Sequence, residues 1–126
     1  MSFLSRLTSL FSKPSVATRF PGVVVGRIEA ITVHPNADRL RLATVDIGQR
    51  LEVVCGAANI EPGQLVPVAT LGAALPNGIV IQPAIIRGVS SEAMLCAADE
   101  LGLGTDHSGI HVLKGGRPGQ PIDAFI

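Results

Sequence analysis

Glycine and proline break this chain at such short intervals that long regular elements have little room. Fourteen Gly and nine Pro are spread along 126 residues rather than clustered, and they bound many short apolar segments. That rhythm is the signature of an all-β barrel or sandwich, where strands are short and each turn needs either backbone freedom or a fixed φ. An apolar fraction of 47% is ample for one core in a chain of this length, which is the size of one domain.

Strand-like segments begin after Gly22. Val23 to Val33 predicts a long first strand, with Gly26 permitting the bend that a small barrel requires. Arg41 to Ile47 and Leu51 to Cys55 predict a hairpin turning at Gly48-Gln49, and Ala57 to Ile60 reads as a short helical turn before Pro62-Gly63. Leu65 to Thr70 is strand-like, Pro76-Asn77-Gly78 is a strong turn, and Ile79 to Ile86 is strand-like with Pro83 marking an edge or bulge. Ala97 to Leu101 reads as a short helix stopped by Gly102, and Ile110 to Leu113 as a closing strand. The sum is a five-stranded barrel with short helices and extra C-terminal strands.

The first twenty residues stand apart from this domain, which covers residues 21–126. Phe3, Leu4, Leu7, Leu10 and Phe11 fall on one face at helical spacing, and Pro14 ends the run. An amphipathic N-terminal helix and linker are expected. Packing on the barrel or on a second subunit, a membrane surface or protein partner met through residues 1–13, and organelle import are its alternatives. No apolar run reaches the ~18 residues a transmembrane helix needs.

Charge and aromatic content bear on partners. Before Glu29 there is no acid, and Arg6, Lys13, Arg19 and Arg27 make that stretch positive; the remainder carries six bases against ten acids. A net negative body gives little long-range attraction for phosphate, so strong sequence-independent RNA binding by the barrel alone is not expected. There is no Trp or Tyr, and the Phe residues are Phe3, Phe11, Phe20 and Phe125, near the ends. Base stacking on aromatic rings is therefore not expected on the barrel surface.

Nothing in the chain assembles a nucleophile with a base. Cys55 and Cys96 sit in apolar surroundings and read as buried, reduced thiols, although a disulfide between them is open at this point. Asp106, His107 and His111 have a spacing that suits a metal on a helix, yet Gly109 and Ile110 argue for a turn into a strand, and neither a metal site nor a cofactor is expected. Leu101-Gly102-Leu103-Gly104 lacks the spacing and the lysine of a phosphate-binding loop. A non-enzyme is expected.

Two runs are too specific to be generic turn or core: HPNADRLRLATVD from His34 to Asp46, and RGVSSEAMLCAADELGLGTDHSGI from Arg87 to Ile110. With Val54-Cys55-Gly56-Ala57 and Asn59, Val66-Pro67-Val68-Ala69, Gly72-Ala73 and Leu75-Pro76, they resemble the tRNA-binding domain family. That is an OB-fold module, and the resemblance is closest to its form in the bacterial phenylalanyl-tRNA synthetase β subunit. The resemblance runs from about Val23 to Phe125. The first residues do not look like the start of such a subunit, so a free-standing relative is expected.

The resemblance implies RNA-facing roles for Arg39, Asn77, Ser91 and Met94, with Arg41 and Arg87 as neighbours. The chemistry is compatible: arginine forks onto phosphate, a serine hydroxyl bonds phosphate or 2′-OH, and methionine packs on a base face. The structural alternatives are a rim ion pair for Arg39, a turn role for Asn77, a cap for Ser91 and core filling for Met94. Where the family usually has Ser-x-Gly-Met, this chain has Ser91-Glu92-Ala93-Met94, and the extra methyl is expected to hinder close approach of RNA. His107 lies in a family-like Gly-x-x-His run, for which a turn-stabilising hydrogen bond is expected. The function implied is a cytoplasmic, homodimeric, non-catalytic tRNA binder that reads shape and backbone. The alternative is an interaction, structural or chaperone-like domain that has lost RNA binding.

Overall fold

The computed structural model describes residues 19–126, so the expected N-terminal helix lies outside the described residues. Seven strands are present among the described residues: β1 (Val23–Val33), β2 (Arg41–Asp46), β3 (Arg50–Cys55), β4 (Leu65–Thr70), β5 (Ala84–Ile86), β6 (Val89–Ser91) and β7 (Ala93–Leu95). Five of them form one antiparallel sheet in the order β3-β2-β1-β4-β7, and β5 and β6 form a separate two-stranded ribbon. The result is an all-β, nearly closed five-stranded barrel, consistent with an OB-fold.

The long first strand serves both halves of the sheet because it changes partner along its length. Val23 to Arg27 pair with β4, and Arg27 to Val33 pair with β2. The register break falls between Ile28 and Ala30, where Glu29 is the extra residue of a bulge that curls the strand. The bend is thus three residues beyond Gly26. Gly26 has another role: a Cβ there would lie 2.5 Å from Val68 Cγ2 and 2.6 Å from Val45 Cγ1, so the glycine makes room for two core side chains. The bulge turns Glu29 toward β3, where it accepts a 2.7 Å hydrogen bond from Arg50.

Closure between β3 and the far edge uses side chains in place of a strand ladder. The Ser91 hydroxyl accepts from the Val54 amide at 3.0 Å and donates to the Ala93 carbonyl at 3.0 Å. Glu92 Oε1 accepts from the Glu52 amide at 2.8 Å, and the Glu92 amide donates to the Glu52 carbonyl at 2.9 Å. The alternation of a strand then fixes what faces where. Ser91, Ala93 and Leu95 are buried, Glu92 is exposed and Met94 is half-buried.

Several expected elements take a different form. The segment Ile79 to Ile86 is split: residues 72–81 make a small hairpin about Pro76-Asn77-Gly78, with a single bridge at Ala74–Val80, and only Ala84–Ile86 is strand. Pro83 carries no amide hydrogen and ends any ladder there. Ala57 to Ile60 is irregular rather than helical, because Arg41 and Gln64 side chains take up its carbonyls. The expected closing strand Ile110 to Leu113 is reduced to an isolated bridge at Ala97–Ile110, because the segment changes partner, His111 donating to the Cys96 carbonyl and Leu113 to the Leu65 carbonyl; a further isolated bridge joins Val24 and Pro121. A 3₁₀ turn, Asp99–Leu101, replaces the expected helix and does end at Gly102, which is left-handed with φ 70°.

The serine closure gives a direct test. Replacing Ser91 by Ala leaves the half-buried Val54 amide without its acceptor and should lower unfolding free energy by about 1–3 kcal/mol. Urea unfolding of S91A measures it, and a change indistinguishable from zero would refute the closure role.

Candidate nucleic-acid interface

The two distinctive runs of sequence meet in space. Asn36 donates its amide hydrogen to Nδ1 of His34 at 2.9 Å, so the ring hydrogen sits on Nε2, which donates to the Ile86 carbonyl at 2.9 Å. Asn36 Nδ2 donates to the Arg87 carbonyl at 3.0 Å, and Arg87 Nη2 returns a 3.3 Å bond to the Asn36 carbonyl. This clamp holds an unusual turn. Ile86 pairs with Val89, leaving Arg87 and Gly88 as a two-residue loop with φ of 52° and 88°. Such a turn ordinarily takes Asn-Gly, and arginine in that region is costly without support. His34, only 5% exposed, and Asn36 supply that support.

Asn59 makes a second clamp. Asn59 Nδ2 donates to the Ile110 carbonyl and its Oδ1 accepts the Ile110 amide, both at 2.9 Å. A Cβ on Gly109 would lie 2.6 Å from Asn59 Oδ1, so this pairing needs glycine. Between this clamp and Met94 runs an open groove of about 470 Å³, lined by Val54 and Gly56 to Ala58 on one side and by Glu100, His107 and Ser108 on another. A recess of about 360 Å³ beyond it is lined by Asp38, Arg39 and Arg41 and shares the Gly56-Ala57-Ala58 wall.

The expected RNA-facing residues now divide by what they already hold. Arg39 is exposed, and its guanidinium makes no hydrogen bond or ion pair with any described residue. Met94 is half-buried on the groove. Arg41 lines the recess, but its Nη2 holds the Ala57 carbonyl at 3.0 Å and the Ile60 carbonyl at 3.5 Å. Arg87 belongs to the turn clamp. Ser91 is 5% exposed with its hydroxyl engaged in barrel closure. Asn77 is exposed at a turn tip and accepts the Ile79 amide at 3.0 Å. Ala93 is 6% exposed and packs in the core with Val53 and Leu95, so its methyl points inward and does not obstruct the surface.

Two other arginines of the sheet are neutralised by acids. Arg50 pairs with Glu29 at 2.7 Å and Arg27 with Asp46 at 3.9 Å. The groove itself is polar at one end in the opposite sense. Glu100 Oε1 accepts the Ala97 amide at 2.8 Å, and His107 Nδ1 lies 2.8 Å from Asp99 Oδ1. His107 thus bridges the 3₁₀ turn and the following loop, as its place in the sequence suggests. The hydrogen bond to Asp99 and its charge raise the His107 pKa, while the hydroxyl and amide of Ser108 lower that of Asp106. Donor atoms of Asp99, Glu100 and His107 lie within 4.8 Å of one another, so the metal-capable grouping in this region is centred on Asp99 rather than on His111.

Both cysteines are free and buried. Burial pushes the Cys96 thiol up to about 12 and raises that of Cys55, which keeps both from acting as thiolate nucleophiles near neutral pH. Sequence reasoning gives Asn36 a turn role but not its bond to Arg87, and misses Glu92 and Glu100 as organising residues. A polar residue three positions after Ala97, within a predicted helix start, was the one available signal for Glu100 as a cap.

His107 gives a pH prediction with a definite sign. Its pKa is raised on folding, so the pairing contributes stability that is fully present below the unfolded value of about 6.5 and is lost as pH rises through the folded value. NMR titration should find His107 above about 6.5 and nearer to it in Asp99→Asn. The stability gap between wild type and D99N should narrow from mildly acidic to alkaline pH; a gap that widens would contradict the pairing.

Comparison with known proteins agrees with this architecture. A family model described as "Putative tRNA binding domain" matches residues 23–121. The phenylalanine–tRNA ligase β subunit of Chlorobaculum tepidum is 49% identical over 111 residues, covering 82% of this chain and 14% of that protein. The corresponding subunit of Aromatoleum aromaticum is 51% identical over 113 residues, covering 87% of this chain and again 14% of the relative. The chain therefore spans about one seventh of the length of these relatives. Among solved structures, the C-terminal domain of Plasmodium vivax p43 superposes with a TM-score of 0.56 at 21% identity, over 81% of this chain and 58% of that one, a likeness of fold. With the family model matching most of the chain and relatives near half identical over it, this chain belongs to the tRNA-binding domain family.

Proposed function

We propose that the chain is a non-catalytic module that binds tRNA through shape and backbone contacts, using the barrel face that carries Arg39 and Met94. Membership of the family and relatives named for ligating phenylalanine to tRNA support the class of ligand. The observation that carries the reading is Arg39: an exposed guanidinium with no internal partner among the described residues, in a recess that shares a wall with the Met94 groove. An arginine already paired would have to break a contact before meeting phosphate, whereas Arg39 breaks none.

The other expected residues take graded roles in this reading. Arg41 retains Nη1 and Nε for phosphate while Nη2 holds the Ala57 and Ile60 carbonyls. Ser91 and Arg87 act by positioning Met94 and the ribbon turn. Asn77 presents its amide nitrogen at the edge of the apolar hairpin. A cytoplasmic location and a homodimer go with this proposal. Two copies would double a sparse set of cations and so raise avidity, and Val33 and Ile85, 81% and 77% exposed, offer apolar surface for such contact. A protein partner reached through residues 1–13 remains part of the proposal rather than of the described structure.

Salt dependence tests the reading. The affinity for tRNA should be greatest at low salt and fall linearly on logarithmic axes, and Arg39→Ala should weaken binding and reduce the slope by about 1. Filter binding across a salt series provides both quantities. A flat response, or an unchanged slope in R39A, would remove the phosphate-based mechanism.

A further inference from the structure

The groove beside Met94 has a chemical polarity that a purely backbone-reading surface would not need. One side leads over Gly56, Ala57 and Ala58, which carry nothing larger than a methyl, to the recess of Arg39 and Arg41. The opposite side is formed by Glu100 and His107, with Asp99 bonded to His107 behind them. Phosphate is attracted to the first side and repelled from the second. A volume of about 470 Å³ lies in the range of small-ligand sites and admits a single base, not a duplex.

Glu100 is the residue that gives this polarity a meaning. Its Oε1 is held by the Ala97 amide at 2.8 Å, and Oε2 has no partner among the described residues. Asp99 and Asp106 are each engaged, with His107 and with Ser108. Glu100 therefore offers the groove one oriented oxygen that can only accept hydrogen bonds. A base bearing an exocyclic amine satisfies it, whereas a base with a carbonyl in that place sets acceptor against acceptor. Carboxylates make this contact with the N4 amine of cytosine. The base also needs an apolar face to lie on. Among the described residues the phenyl rings are Phe20, which is buried, and Phe125, which lies elsewhere, and the His107 imidazole on the groove is held by Asp99, so the Met94 thioether is the apolar surface on hand.

Resting on the RNA-binding reading above, we propose that this groove is a base pocket for one unpaired nucleotide. Its phosphate lies toward Arg39, its base lies on Met94, and Glu100 accepts the exocyclic amine, so that cytosine is preferred to uracil. Cytosine and uracil have nearly the same size and stacking surface, which makes the pair a clean discriminator. The polar contact is worth about tenfold in affinity, at the lower end of what a good base contact provides.

The test is fluorescence anisotropy of short labelled oligo(C) and oligo(U) at low salt, near neutral pH, on the wild-type chain and on Glu100→Gln. Glutamine keeps an oxygen for the Ala97 amide and presents an amide donor where Oε2 was. Expected are about tenfold tighter binding of oligo(C) by wild type and loss or inversion of that preference in E100Q. Met94→Ala should weaken both oligonucleotides together. Equal affinity for the two in wild type, which needs no variant to measure, or a preference that survives in E100Q, overturns the base pocket. If tRNA is still bound with an Arg39-dependent salt slope in that case, the pocket alone falls; if tRNA is not retained at low salt, the RNA-binding reading falls with it.

Discussion

The hydroxyl of Ser91 joins the two open edges of the barrel, and the candidate surface depends on where it sits. It bonds Val54 on β3 and Ala93 on β7, with Glu92 adding two bonds to Glu52. A longer ladder would close the sheet with backbone alone; here the side chains of Ser91 and Glu92 do it together with one backbone hydrogen bond from Glu92 to Glu52. Because a strand alternates its faces, burying Ser91 and Ala93 leaves Met94 outward, over the groove. The serine implied as an RNA contact thus acts on the surface from beneath it.

The polar signature of the family has an architectural meaning in this chain. His34, Asn36, Arg87 and Gly88 are consumed in holding a strained turn, and Asn59 in seating Gly109 and Ile110. What is left for a ligand is small. Among the described residues Arg39 is a free cation on the groove side, while Arg27 and Arg50 are paired with acids. A barrel with more acids than bases thus still presents an uncommitted cation: Arg27 and Arg50 offset Asp46 and Glu29, and Glu100 lines the Met94 groove away from the Arg39 recess.

Period and punctuation made much of the fold legible. The bounds of β1 and β4 follow from apolar, β-branched runs between glycines and prolines, and β2 and β3 from the Gly48 hairpin. β6 and β7 were not visible, because a three-residue strand has no period to read and Glu92 interrupts the apolar pattern. Ile79 to Ile86 looked continuous since apolar pattern alone does not show which amides are paired. For the site, Arg39 and Met94 were legible as types, but Arg41, Arg87 and Ser91 could not be sorted from them. Their bonds run to backbone carbonyls and amides, and every residue has those, so side-chain identity carries no trace of the partner. The inward direction of Ala93 was hidden for the same reason: it depends on a closure that only the three-dimensional pairing defines.

The clamp between Asn36 and Arg87 joins residues separated by 51 positions. Neither half can be made locally, and the chain between them must first be drawn together against its own entropy. The left-handed Arg87 has no support until that happens, so the β5–β6 ribbon is poorly formed as an independent hairpin. The β2–β3 hairpin, whose turn is local, has no such requirement. Barrels rich in distant pairings fold slowly for this reason. During synthesis the side chains of His34 and Asn36 must wait for their carbonyl partners at Ile86 and Arg87, which emerge half a domain later.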